Sequence, residues 1–95
     1  MTRTAEFEWD EAKSRRNFRE RGLDFEFVTR IFDGPCIEEQ DTRRDYGERR
    51  IVATGKIEDG VFVVVYTRRG GRRRIISARP AKRKERDDYR KAYPD

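Results

Sequence analysis

Residues 61–80 read VFVVVYTRRGGRRRIISARP. The first half is a run of β-branched and aromatic residues, the composition of a pleated strand. Gly70 and Gly71 can both take the positive φ that a two-residue hairpin turn of the primed type requires. RRRIISAR is then the returning strand, and Pro80 stops it. Folding the chain about the glycines opposes Arg69 with Arg72, Arg68 with Arg73 and Thr67 with Arg74. Further back it opposes Tyr66 with Ile75, Val65 with Ile76, Val64 with Ser77 and Val63 with Ala78. Because side chains alternate between faces, this register predicts an apolar patch of Val63, Val65, Ile76 and Ala78 turned toward the helices. It predicts a second face carrying Tyr66, Arg68, Arg73, Ser77 and Arg79.

The rest of the chain is read against this hairpin. Upstream, the alternating FEW at 7–9 is a short strand, and Asp10 is placed to cap a polar helix, EAKSRRNFRERG, ended by Gly22. The weak apolar stripe of that helix is Ala12 and Phe18. LDFEFVTRIFDGP is a second helix capped by Asp24, with Phe25, Val28, Ile31 and Phe32 on one core-facing side. CIEEQ and ERRIVATGKI are strands joined by the polar DTRRDYG, and EDG turns the chain into the hairpin. AKRKERDDYRKAY is a basic closing helix with Ala81, Tyr89, Ala92 and Tyr93 as docking residues. The order β-α-α-β-β-β-β-α predicts an α+β fold of two layers: an antiparallel sheet of four to five strands with two N-terminal helices and one C-terminal helix. The 95 residues suffice for one domain, 1–95.

Charge is distributed unevenly. Residues 1–60 hold 12 basic and 15 acidic side chains, net −3, whereas residues 61–95 hold 12 basic and 4 acidic, net +8. The C-terminal part therefore suits a polyanion. No segment joins such charge to a broad apolar face, so a membrane partner is not expected. With no histidine and a single cysteine, the commonest metal ligand and general base are missing. No metal site, cofactor or internal disulfide is expected, and a reducing cytoplasm is the matching compartment. Cys36 reads as a half-buried strand residue, Trp9 as core and Lys13 as a solvated helix residue.

Two directly opposed arginine pairs cost a hairpin about a few tenths of a kcal/mol each, so folding does not call for them. Edge protection explains one or two cations. Six arginines beside a tyrosine and a serine point instead to nucleic acid, because guanidinium forks bind phosphates and stack on bases. Cleaving RNA through its own 2′-hydroxyl would further need a proton acceptor, positive charge for the phosphorane and a proton donor for the leaving oxygen. The arginines supply the charge. Tyr66, Lys82 and Glu48 are the candidate proton shuttles, although Glu48, in a strand flanked by arginines, reads more readily as half of a structural ion pair than as a base.

Three motifs, F-x-W-D-x-x-K at the start, G-E-R-R at 47–50 and Y-T-x-R-G-G-R-x-R-I-I-S-A-R at 66–79, resemble the BrnT toxins of bacterial type II toxin–antitoxin systems from about Phe7 to Tyr89. The resemblance implies a RelE-like fold and a metal-independent endoribonuclease that arrests translation. It implies inhibition by a BrnA-type ribbon-helix-helix antitoxin, in an assembly of two toxins and two antitoxins that contacts operator DNA through the antitoxin. It places Tyr66, Arg68, Arg72, Arg74, Ser77 and Arg79 in the active region. The chain departs from the family pattern in having Arg21 where a histidine is usual and Pro80 where a second basic residue follows S-A-R; Lys82 and Arg83 stand close by. The expected site is therefore Arg68, Arg79, Tyr66, Ser77, Lys82 and Glu48 for chemistry, with Arg69, Arg72, Arg73, Arg74 and Arg83 for RNA binding. The alternative is a RelE-like module that binds nucleic acid or antitoxin with little catalysis.

Overall fold

A computed structural model describes residues 1–43, 45 and 47–94; Arg44 and Tyr46 of the DTRRDYG connection, and Asp95, lie outside the described residues. The elements are β1 (Thr2–Arg3), β2 (Phe7–Trp9), α1 (Glu11–Arg21), α2 (Phe25–Val28) continuing as a 3₁₀ turn (Thr29–Asp33), β3 (Cys36–Gln40), β4 (Ile51–Ile57), β5 (Gly60–Arg69), β6 (Arg72–Pro80) and α3 (Arg83–Ala92). The six strands form one sheet in the order β1-β2-β6-β5-β4-β3. The α+β class is as expected, but the sheet is larger than expected and mixed. β1 is an additional strand of two residues, and β2 runs parallel to β6 through the pairs Phe7–Arg73 and Glu8–Arg74. A three-residue strand carries no local sign of its partner's direction.

The hairpin turns at Gly70 and Gly71 with φ of 56° and 82°, as the primed turn requires. The pairs Arg69–Arg72, Arg68–Arg73, Thr67–Arg74 and Tyr66–Ile75 form as read. Beyond them a bulge leaves Ile76 unmatched, so Val65 opposes Ser77, Val64 opposes Ala78 and Val63 opposes Arg79. One inserted residue exchanges the faces of everything after it. Val63 and Val65 therefore do not join Ala78, and Tyr66 does not share a face with Ser77 and Arg79.

Each side of the sheet has its own core. Val64, Tyr66, Ile75 and Ala78 pack with Ala53, Ile57, Trp9, Phe25, Val28 and Ile31 beneath α1 and α2. Val61 and Val63 pack on the opposite side against Ala81 and Tyr89 around α3. The helices thus lie on both faces rather than in one layer. Ala81 and Tyr89 dock as expected, whereas Ala92 and Tyr93 are exposed. Gly55 is needed because a Cβ there would lie 2.7 Å from the Ile31 Cβ.

α1 is seated by polar groups. Ala12 is exposed and Phe18 is 57% exposed, while Ser14 and Asn17 are buried. Ser14 Oγ accepts from the Phe25 N–H at 2.9 Å, and Asn17 Nδ2 donates to the Leu23 carbonyl at 2.8 Å. These bonds satisfy backbone groups of the α1–α2 connection, which explains why the helix face was not visible as an apolar stripe. Trp9 is core, Cys36 is half-buried with its thiol pushed up to about 11 by burial, and Lys13 is solvated.

Candidate active site

The re-phased strand builds a groove on the α3 side of the sheet. Paired residues give three cross-strand rows: Ile37–Thr54–Val63–Arg79, Glu39–Val52–Val65–Ser77, and Thr67–Arg74 toward the hairpin tip. Valines form the floor, with a hydroxyl and a guanidinium on the β6 wall and a carboxylate on the β3 wall. Two adjoining hollows of about 510 and 490 Å³ lie over these rows and share Glu39 and Val52. The first is rimmed by Arg21, Arg43, Ser77 and Arg79, the second by Lys82, Lys84 and Glu85 from the start of α3.

Arg79 is held in place on the groove's β6 wall. It donates through Nη1 and Nη2 to the two Glu85 oxygens at 2.8 and 2.9 Å, and through Nη1 to the Pro80 carbonyl at 3.3 Å. Three of its five N–H donors are engaged and the fork is fixed in direction, leaving two for a ligand. Glu85 also accepts the Lys82 N–H at 2.7 Å, so the same carboxylate caps α3. Arg21 reaches from the end of α1 to donate to the Ala78 carbonyl at 3.1 Å. This carbonyl lies on the edge of β6 beyond the reach of β2. Arg21 thus ties the end of α1 to the stretch of β6 that β2 does not cover, and lines the groove.

The Arg79 guanidinium holds the Glu85 carboxyl at about 2, with the Lys82 N–H acting in the same direction. A carboxyl depressed in the folded state stabilises fully above its unfolded value, near 4.5, and loses that contribution as pH falls toward 2. Both side chains are about one-third exposed, so solvent screening leaves about 1 kcal/mol. Glu85→Gln is expected to be less stable than wild type by that amount at pH 7, with the gap closing by pH 2. Urea unfolding at pH 7, 4 and 2 measures it.

The other expected site residues are dispersed. Tyr66 is 3% exposed on the opposite face, and its hydroxyl donates to Glu38; burial and that carboxylate raise its pKa, so it is no base for this groove. Arg73 lies on the same side as Tyr66, its guanidinium 4.2 Å from the Phe32 ring centroid and 5.4 Å from that of Tyr66. Its guanidinium is therefore packed among aromatic rings, away from the groove. Arg74, 16% exposed, is paired with the buried Glu8 at 2.9 Å, and Arg72 Nε donates to the Thr4 carbonyl at 2.7 Å. Glu48 lies 3.6 Å from Arg69, in the ion pair foreseen as its other reading and away from the groove. Arg68 and Arg69 are exposed at the tip, and Arg83 at the start of α3. Ser77, Arg79 and Lys82 alone of the expected chemical residues meet at the groove. Sequence reasoning missed Glu39 and Arg43, and singled out Arg21 only as a departure from the resemblance and not as a groove residue. Alternation of CIEEQ against ERRIVATGKI could have found Glu39, since it puts Ile37 and Glu39 on one side.

The site is thus a groove with an apolar floor on the sheet of an α+β domain, its walls carrying the cations Arg21, Arg43, Arg79, Lys82 and Lys84 and the carboxylates Glu39, Asp41, Glu85 and Asp88. The chain belongs to the BrnT family: the model described as "Ribonuclease toxin, BrnT, of type II toxin-antitoxin system" matches residues 9–85. It is thus the toxin component of such a system, a class whose partner is an antitoxin and whose target is RNA. Comparison with curated proteins gave no match. Among the described residues no helix is long and apolar enough to cross a membrane.

Proposed function

We propose that the protein is a single RelE-like toxin domain acting in the cytoplasm as a metal-independent endoribonuclease, neutralised by a BrnA-type antitoxin in a two-plus-two assembly that meets operator DNA through the antitoxin. The observation that carries this reading is the oriented Arg79 fork beside Ser77 over a valine floor. A phosphodiester bridging the two remaining Arg79 donors would rest its ribose and base on Val52 and Val65. Arg79 then stabilises the charge that develops on the phosphorane, Ser77 orients a phosphate oxygen, and Lys82 supplies a proton to the leaving 5′ oxygen. Arg69 and Arg72, at the tip on the same face, extend a track for the RNA backbone.

RNA incubated with the purified protein in excess EDTA is expected to be cut, leaving 2′,3′-cyclic phosphate ends detectable by mass spectrometry. Cleavage that EDTA abolishes, or products lacking those ends, would overturn the mechanism. A second reading, a nucleic-acid- or antitoxin-binding module with little catalysis, draws support from Glu85, which already takes two of the five Arg79 donors. Steeply salt-dependent RNA binding with no cut product would favour it.

A further inference from the structure

We infer that Glu39 is the catalytic base of this groove, taking the proton from the attacking 2′-hydroxyl; the inference rests on the ribonuclease reading above. The groove is lined by four carboxylates, Glu39, Asp41, Glu85 and Asp88. Three are committed: Asp41 to Arg43 at 2.9 Å, Glu85 to Arg79 at 2.8 Å and Asp88 to Lys84 at 3.0 Å. Among the described residues Glu39 is the groove carboxylate left with neither an ion pair nor a hydrogen bond. It is exposed, and it is the carboxylate common to both hollows.

Its position fits the task. Glu39, Val52, Val65 and Ser77 occupy one row across four strands, so the Glu39 and Ser77 backbones stand about 14 Å apart, three strand spacings. Val52 and Val65 lie between them, so the row holds a ribose and its phosphate between a carboxylate at one end and the Ser77–Arg79 pair at the other. A base must sit on the ribose side of the phosphate it helps attack, and the β3 wall supplies that side. Tyr66 and Glu48 cannot do so, one lying on the other face and the other beside Arg69. The step balances: the Glu39 carboxylate accepts the 2′ proton, O2′ bonds to phosphorus, the P–O5′ bond breaks, and O5′ leaves with a proton from Lys82. The products are a cyclic phosphate, a 5′-hydroxyl end, protonated Glu39 and neutral Lys82, which exchange protons with water before the next turnover.

Three measurements on the full-length protein test this: single-turnover cleavage of a short RNA, binding of the same RNA with a 2′-deoxy substitution at the cut site, and cleavage of an RNA whose leaving oxygen is replaced by sulfur. Glu39→Gln is expected to slow cleavage about 100-fold or more, with unchanged or tighter binding and an unchanged melting temperature. Glu39→Asp should recover part of the rate. A thiolate leaves without protonation, so the sulfur substrate should rescue Lys82→Ala and leave Glu39→Gln slow. If wild type cuts and Glu39→Gln cuts within threefold of it, or is rescued by sulfur, the assignment to Glu39 fails while the ribonuclease reading stands. If wild type cuts none of the RNAs, the ribonuclease reading itself fails.

Discussion

Arg79→Ala is expected to reduce RNA cleavage by about 10²–10³-fold, the usual cost of removing one preorganised donor to a developing oxyanion. Arg79 is held by Glu85 and the Pro80 carbonyl before any substrate arrives, so its orientation needs no reorganisation during the reaction. Arg79→Lys should recover little, because an ammonium reproduces neither the bidentate grip on Glu85 nor the remaining two donors. The truncation also leaves the Glu85 carboxylate facing the groove, where it repels phosphate. RNA binding should weaken several-fold as well. The double variant Arg79→Ala/Glu85→Gln separates these effects: binding returns toward wild type while cleavage stays slow. Single-turnover rates and fluorescence anisotropy on the same RNA read both. Cleavage within threefold of wild type in Arg79→Ala would remove Arg79 from the chemistry.

The second large effect concerns stability. Glu8 and Arg74 join β2 to β6, with side chains 6% and 16% exposed and a contact of 2.9 Å. Truncating Glu8 strands the Arg74 charge in a poorly solvated place, at a cost of about 3 kcal/mol, whereas truncating Arg74 leaves the buried Glu8 with the longer 3.9 Å pair to the exposed Arg3. Glu8→Ala and Arg74→Ala should each lower the urea midpoint substantially. Because both remove the same interaction, the double variant should fall well short of the sum. Glu8→Leu combined with Arg74→Met, which keeps the volume without the charges, should regain most of the loss. Additive single-variant costs would mean that Arg74 is not chiefly structural. This outcome also decides how an arginine in the middle of the hairpin motif is to be read, since binding lost through unfolding resembles binding lost through a missing contact.

The sequence was informative where physics is local. The glycine turn, the four pairs next to it and the core set Phe25, Val28 and Ile31 follow from φ preference and periodicity, and all are found. It was uninformative where distant segments decide. Ile75 and Ile76 are alike in shape and hydropathy, so nothing local marks the second as the unmatched residue, yet that residue determines which arginines stand beside Ser77. α1 is seated through Ser14 and Asn17, groups that a search for apolar spacing passes over. Glu39 reads as a solvated strand residue until four strands are in register.

The unmatched Ile76 lets one strand obey two incompatible repeats. Up to Ile75, β6 keeps the rhythm that puts Arg73 among aromatic rings and Arg74 against Glu8; after Ile76, the beat is offset by half a pleat, and Ala78 turns inward while Ser77 and Arg79 turn out. An uninterrupted strand would have to bury the Arg79 guanidinium or leave the Ala78 side chain in water. A single surplus residue thus keeps the core and the groove from competing for the same positions.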